Sequence, residues 1–345
     1  MVQTRRMMKV DTVKELTGVE KKQLKIFLAV NFGLTVFMGV IMWISYHNGN
    51  DVAAFAATQM MYPAMGVILA IILTAGKEKK LPVRFFVTYL VTAVLAILLT
   101  VGNVLISSAT WYLVENVVFV IGSILSWIML LTEKKEVRDG CNLRFNAHNM
   151  KKSFLLILLF FVLYLIRLFL AGLLDGSIKE FAGLFTAPAI WVGMVMLVIN
   201  FYITFIIFFG EEYGWRYFLQ PILQKRFGLK GGVLLLGVIW GLWHLPLSIC
   251  YYSPDTWFYS LLIQVVGCVS FAVFFGYAYG KTGNIWVPVA IHFINNNMSA
   301  LLAGGDLGNQ VYSWQDTLIV LIVQVVVYVP FLFTKVYKGQ VEDTQ

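Results

Sequence analysis

The chain has 345 residues, of which 59% are hydrophobic and 13% charged, with a mean hydropathy of +0.79. A soluble domain carries about 25% charged residues, so water is not the main solvent of this surface. The net charge of +8 comes from short basic clusters between apolar runs rather than from one continuous basic face, which argues against a nucleic-acid partner and for membrane lipids.

Residues 1–24 read as a cytosolic N-terminal segment. Thr17 and Glu20 have capping-box spacing, which predicts a short cytosolic helix leading into the membrane. The apolar run that follows is too long for a signal-peptide core and is expected to stay as an anchor. A span needs about 20 apolar residues to cross roughly 30 Å of hydrocarbon. Ten runs qualify, near 25–46, 58–75, 84–107, 112–132, 153–174, 188–210, 231–250, 257–280, 284–303 and 316–336. The expected fold is all-α, a polytopic transmembrane helix bundle.

Lys and Arg collect on alternate connections. They occur in the N-terminal segment (Arg5, Arg6, Lys9, Lys14, Lys21, Lys22, Lys25) and in the 76–84 loop with Lys77. They recur in the 133–152 loop, in the 211–230 link (Arg216, Lys225, Arg226, Lys230) and in the tail with Lys335 and Lys338. The intervening loops hold one basic residue, Lys179. Both termini are therefore expected to be cytoplasmic. Short loops fit a bacterial plasma membrane. Cys141, Cys250 and Cys268 are scattered without CxxC spacing and predict neither a disulfide framework nor structural zinc. Glu115 and Arg167 are charges inside spans; Arg167 is expected to snorkel or to pair and so position a helix.

Three clusters are polar where lipid would favour apolar residues. In Glu211-Glu212-Tyr213-Gly214-Trp215-Arg216, Glu212 and Arg216 are four apart and can neutralise each other. Glu211, about 100° round the helix, is left outside that pair beside an apolar stretch, where a poorly hydrated carboxylate is suited to act as a base toward water. The second cluster, Trp240-Gly241-Leu242-Trp243-His244-Leu245-Pro246, puts His244 within a span, next to a proline that breaks the helical ladder. The third, His292-Phe293-Ile294-Asn295-Asn296-Asn297, sets Asn296 on the face of His292. His47 and His148 lie in loops or at a span end. Gathered in a water-accessible cavity, Glu211 would activate water, while His244, His292 and Asn296 orient it and stabilise an oxyanion.

The order Glu-Glu-x-x-x-Arg, aromatic-x-x-x-His, His-x-x-x-Asn resembles the CPBP family: type II CAAX prenyl endopeptidases and bacteriocin-processing or immunity (Abi) proteins. Glu211, Glu212 and Arg216 carry the first motif, Trp240 and His244 the second, and His292 and Asn296 the third. The similarity covers roughly residues 185–305, between N-terminal transmembrane helices at 25–184 and a last helix and cytosolic tail at 306–345. It implies an intramembrane endopeptidase whose cavity opens to the cytosol and whose substrate is a lipidated or leader-type peptide. The second motif usually begins with Phe; Trp240 in its place is expected to change cavity shape more than chemistry. There is no HExxH helix. Glu211, His244 and His292 could hold zinc, but glutamate-activated water with no cofactor is the favoured mechanism. A non-enzymatic immunity or scaffold protein binding a peptide or membrane partner is the alternative, and a secondary transporter ranks behind both because no inverted repeat is visible.

Overall fold

The computed structural model describes residues 14–76, 78–106, 109–145, 149–305 and 307–339. Arg5, Arg6, Lys9, Lys77 and His148 lie outside the described residues. Within them the chain is helical, with no strands.

Thr17 and Glu20 do form a capping box: the Thr17 N–H donates to Glu20 Oε2 at 2.7 Å, and the Glu20 N–H donates to Thr17 Oγ1 at 3.2 Å. The helix they start is not a separate cytosolic piece. It is α1, Gly18–His47, one rod of 30 residues, because nothing between Gly18 and the apolar run breaks the backbone ladder. The second run is split into α2 (Ala53–Gln59) and α3 (Tyr62–Thr74), with Pro63 in the first turn of α3. Next come α4 (Val83–Leu105), α5 (Ala109–Leu131), the short α6 (Lys135–Gly140), α7 (Met150–Asp175) and the short α8 (Ile178–Leu184). α7 stops at Gly176, whose φ of 82° suits glycine.

α9 (Pro188–Glu212) passes without a loop into a π-helical segment, Tyr213–Leu219, and on into α10 (Gln220–Trp243). The turn expected within 211–230 falls near its end, at Gly228, where φ is 76°, and the first part of that link stays helical. Arg216, counted among the basic residues of that link, is fully buried. A single turn, α11 (Leu245–Leu247), precedes α12 (Trp257–Thr282), α13 (Trp286–Leu302) and α14 (Trp314–Tyr328).

Among the described residues eight helical stretches are long and apolar enough to cross a membrane, fewer than the ten runs expected. Pro188–Tyr252 is continuous enough to count as one stretch of 65 residues, although it folds back at Gly228. α13, at 17 residues, is short for a span. The protein is an integral membrane helix bundle.

The basic segments meet at one end. Lys225 pairs with Glu20 at 2.6 Å, Asn142 Nδ2 donates to the Tyr279 hydroxyl, and Asn149 Nδ2 donates to the Thr282 carbonyl. At the opposite end the N–H groups of Asn309 and Gln310 donate to the carbonyls of Tyr251 and Tyr252. Between the ends, glycines let helices touch closely. A Cβ on Gly237 or Gly241 of α10 would lie 2.3 Å from Val269 Cα or 2.4 Å from Val265 Cα of α12. Four-residue spacing of small residues at a membrane helix contact is the means by which two backbones approach.

Candidate active site

Glu211 and Glu212 end α9, where the ladder switches from α to π; the Gln220 N–H reaches back five residues to the Trp215 carbonyl. Such π turns recur at functional sites because they redirect neighbouring side chains. Glu212 Oε2 lies 3.2 Å from Arg216 Nε, as the four-residue spacing anticipates, and both side chains are wholly buried. The guanidinium is also stacked on the rings of Trp240 and Phe275, at 4.2 and 4.9 Å from their centroids. An unpaired charge here would cost several kcal/mol, so this carboxylate and these aromatic faces together make Arg216 tolerable in the bundle.

His292, on α13, joins the two glutamates. Its Nδ1 donates to Glu212 Oε1 at 2.8 Å, and its Nε2 stands 4.0 Å from Glu211 Oε1. Phe208, Trp240 and Phe275 wall the imidazole. His244 follows the last turn of α10, where Pro246 prevents the helix from continuing. Its Nδ1 donates to the Trp240 carbonyl at 2.9 Å, which leaves Nε2 of the neutral ring as an acceptor.

Glu211 is not idle outside the ion pair. Its Oε2 accepts two indole N–H groups, from Trp215 at 3.1 Å and from Trp240 at 2.6 Å. Trp240 therefore acts on the carboxylate chemically; a phenylalanine ring there has no donor, and the expectation that its departure from Phe matters chiefly for shape is corrected. Trp215 is four residues beyond Glu211 on the same helical face, a signal present in the sequence and passed over. Gln59 was also missed: its Nε2 donates to the Trp243 carbonyl at 2.8 Å, capping α10 beside His244 from a helix 184 residues away.

Asn296 is half-buried on the His292 side of α13, but among the described residues its amide oxygen accepts only from Asn295 Nδ2, and it touches neither glutamate. The expected water-accessible cavity is closed around the carboxylates, with Glu211 only 1% exposed. A cavity of about 470 Å³ opens at the non-basic end, lined by Tyr46, Asp51, Tyr112 and Tyr251 among others, and does not include Glu211. As for zinc, among the described residues no three His, Cys, Asp or Glu side chains stand together as a metal site. His292 Nδ1 bonds Glu212 and His244 Nδ1 bonds a backbone carbonyl, the setting in which the other ring nitrogen of a histidine can still ligate a metal. It is the spacing, not the ring nitrogens, that keeps Glu211, His244 and His292 from forming a metal site in this arrangement.

Residues 192–298 match the Rce1-like type II CAAX prenyl endopeptidase family. The matched segment runs from within α9 to within α13 and contains all three polar clusters. The resemblance drawn from the motifs is borne out. A curated relative, CAAX prenyl protease 2 of Methanococcus maripaludis, is 32% identical over 130 residues, covering 36% of this chain and 46% of the relative. The chain thus spans less than half the length of that relative. No solved structure matches.

Proposed function

We propose that this protein is an intramembrane endopeptidase that hydrolyses a peptide bond of a membrane-associated, lipidated substrate by glutamate-activated water. The observation that carries the reading is the asymmetric setting of Glu211: two indoles hold Oε2, while Oε1 faces His292 Nε2 across 4.0 Å. A water hydrogen-bonded to both at about 2.8 Å spans that gap at an angle of about 90°. Glu211 Oε1 takes the water proton as the oxygen adds to the scissile carbonyl carbon, then passes it to the leaving amine as the C–N bond breaks.

The remaining residues have separable roles. Glu212 accepts the Nδ1–H of His292 and so fixes the ring with Nε2 toward the attacking water, which donates one hydrogen to Nε2 and the other to Glu211 Oε1. His244, held by the Trp240 carbonyl, orients the water as it enters the site. The Asn296 amide donates to the oxyanion once substrate opens the site. No metal takes part.

The family and the curated relative point to a prenylated C-terminal peptide as substrate; leader-type peptides are the second class to test. Short loops and alternating basic connections support a bacterial plasma membrane with both termini in the cytosol. The experiment is cleavage of a panel of prenylated and leader-type peptides by purified protein in detergent, for wild type and Glu211→Gln, with and without a chelator. Cleavage by wild type that survives chelation and disappears in a folded Glu211→Gln protein supports the mechanism. Activity in that variant refutes the base, loss on chelation restored by zinc refutes the metal-free mechanism, and no cleavage of any peptide by folded wild type returns the protein to the immunity or scaffold reading.

A further inference from the structure

Arg167 is a cation inside α7 that the proposed chemistry leaves unused. It lies 17 residues from Met150, roughly 25 Å along the helix from the basic end. Sequence alone suggests snorkelling or pairing, yet no carboxylate lies within ion-pair distance of it among the described residues, and its Nε is buried without a hydrogen bond. Its guanidinium stands over the ring of Tyr164, 4.5 Å from the centroid. The hydroxyl of Tyr328 on the adjacent α14 is buried without a hydrogen-bond partner among the described residues. An uncompensated guanidinium held against aromatic rings at membrane depth calls for an anion that arrives from outside the chain.

A polar track connects it to the site. The Tyr164 hydroxyl donates to Ser299 Oγ at 2.9 Å, and Ser299 Oγ donates to the Asn295 carbonyl at 2.8 Å. Ser299 is seven residues beyond His292 on α13, roughly 10 Å along the axis. Three extended residues also reach roughly 10 Å. If the scissile bond lies beside His292, as the endopeptidase reading requires, the end of a three-residue C-terminal tail falls at Tyr164 and Arg167. A C-terminal Cys-a-a-X substrate has such a tail after its prenylated cysteine, and that tail ends in a carboxylate.

We propose that Arg167, presented by Tyr164, binds the free α-carboxylate of the substrate's C-terminus and so sets how many residues lie beyond the cleaved bond. This rests on the endopeptidase reading. The planar guanidinium suits bidentate carboxylate binding, and the low-dielectric surroundings make the pairing stronger than it would be in water.

The test uses the full chain in detergent with two prenylated peptides of one sequence, one ending in a free carboxylate and one in a carboxamide, on wild type, Arg167→Met and Arg167→Lys. Wild type is expected to favour the acid by about 10–100-fold in kcat/KM, mostly through KM. Arg167→Met abolishes the preference by slowing the acid alone, and Arg167→Lys keeps part of it. The amide rate reports folding of each variant. Equal cleavage of acid and amide by wild type overturns the proposal whatever the variants do, as does an undiminished acid preference in a folded Arg167→Met protein. Cleavage of neither peptide by folded wild type overturns the prenylated-substrate reading and the proposal with it, and if leader-type peptides are also left intact it overturns the endopeptidase reading itself; either outcome is distinguishable from failure of the carboxylate subsite alone.

Discussion

Trp240→Phe tests one hydrogen bond to the carboxylate. The substitution keeps an aromatic face for Arg216, now 4.2 Å from the Trp240 ring, and removes the indole N–H that reaches Glu211 Oε2 at 2.6 Å together with part of the buried ring surface. A hydrogen bond to a charged acceptor contributes about 1.5–3 kcal/mol. If that energy holds the carboxylate in the rotamer that turns Oε1 toward His292, its loss lowers kcat by about 10–100-fold, with KM nearly unchanged because no substrate contact is removed. Trp215 keeps its own bond at 3.1 Å, so activity falls without vanishing, and the Trp215→Phe, Trp240→Phe double variant falls further. The assay is steady-state cleavage of a fluorogenic prenylated peptide, with circular dichroism and thermal unfolding in the same detergent to confirm the fold. Because phenylalanine is the usual residue of this motif, an unchanged kcat is a realistic outcome, and it would refute the positioning role given to the indole.

Three further substitutions probe the bundle. Glu212→Gln leaves Arg216 buried without its counter-charge and weakens the acceptor on His292, so thermal unfolding should show a loss of about 3–5 kcal/mol along with loss of cleavage; unfolding indistinguishable from wild type would show that the aromatic faces alone suffice. Gly241→Ala drives a methyl into Val265 of α12 beside Trp240 and should cost about 1–3 kcal/mol and reduce activity, measured by melting temperature and peptide turnover. In the N-terminal half, Thr58 Oγ1 lies 2.5 Å and Thr100 Oγ1 3.2 Å from the buried Glu115 carboxyl. Glu115→Ala should destabilise by about 1–3 kcal/mol, while Glu115→Gln, which keeps polar atoms at that position, should be closer to wild type; equal losses in the two variants would mean that the carboxyl itself is required.

The membrane bundle was legible because hydropathy reports solvent directly, and every one of the ten runs is mostly helical, the second being divided between α2 and α3. The boundaries at 211–230 were not, since Glu212 and Arg216 read as the polar edge of a span when counted singly. Paired with each other and covered by Trp240 and Phe275, they let the helix continue through Leu219. Four-residue spacing correctly gave the Glu212–Arg216 pair, and it would have given Trp215 as a partner of Glu211 had the indole been considered as a donor. The His292–Glu212 bond, the Trp240–Glu211 bond and the Gln59 cap join residues on different helices, and no local pattern encodes such contacts.

The Gln59 cap has a consequence for any attempt to build with this protein. The family match begins at residue 192, yet Gln59 holds the end of α10, and a Cβ at Gly210 or Gly214 would sit 2.3 Å from the Met60 carbonyl or 2.2 Å from Pro63. The amino-terminal helices therefore form one wall of the candidate active site. A chimera that joins residues 192–298 to the amino-terminal half of a relative will need a glutamine equivalent to Gln59 and matching helix-packing contours at residues 60–63. Grafting the matched segment alone would transplant the chemical groups without the scaffold that aims them.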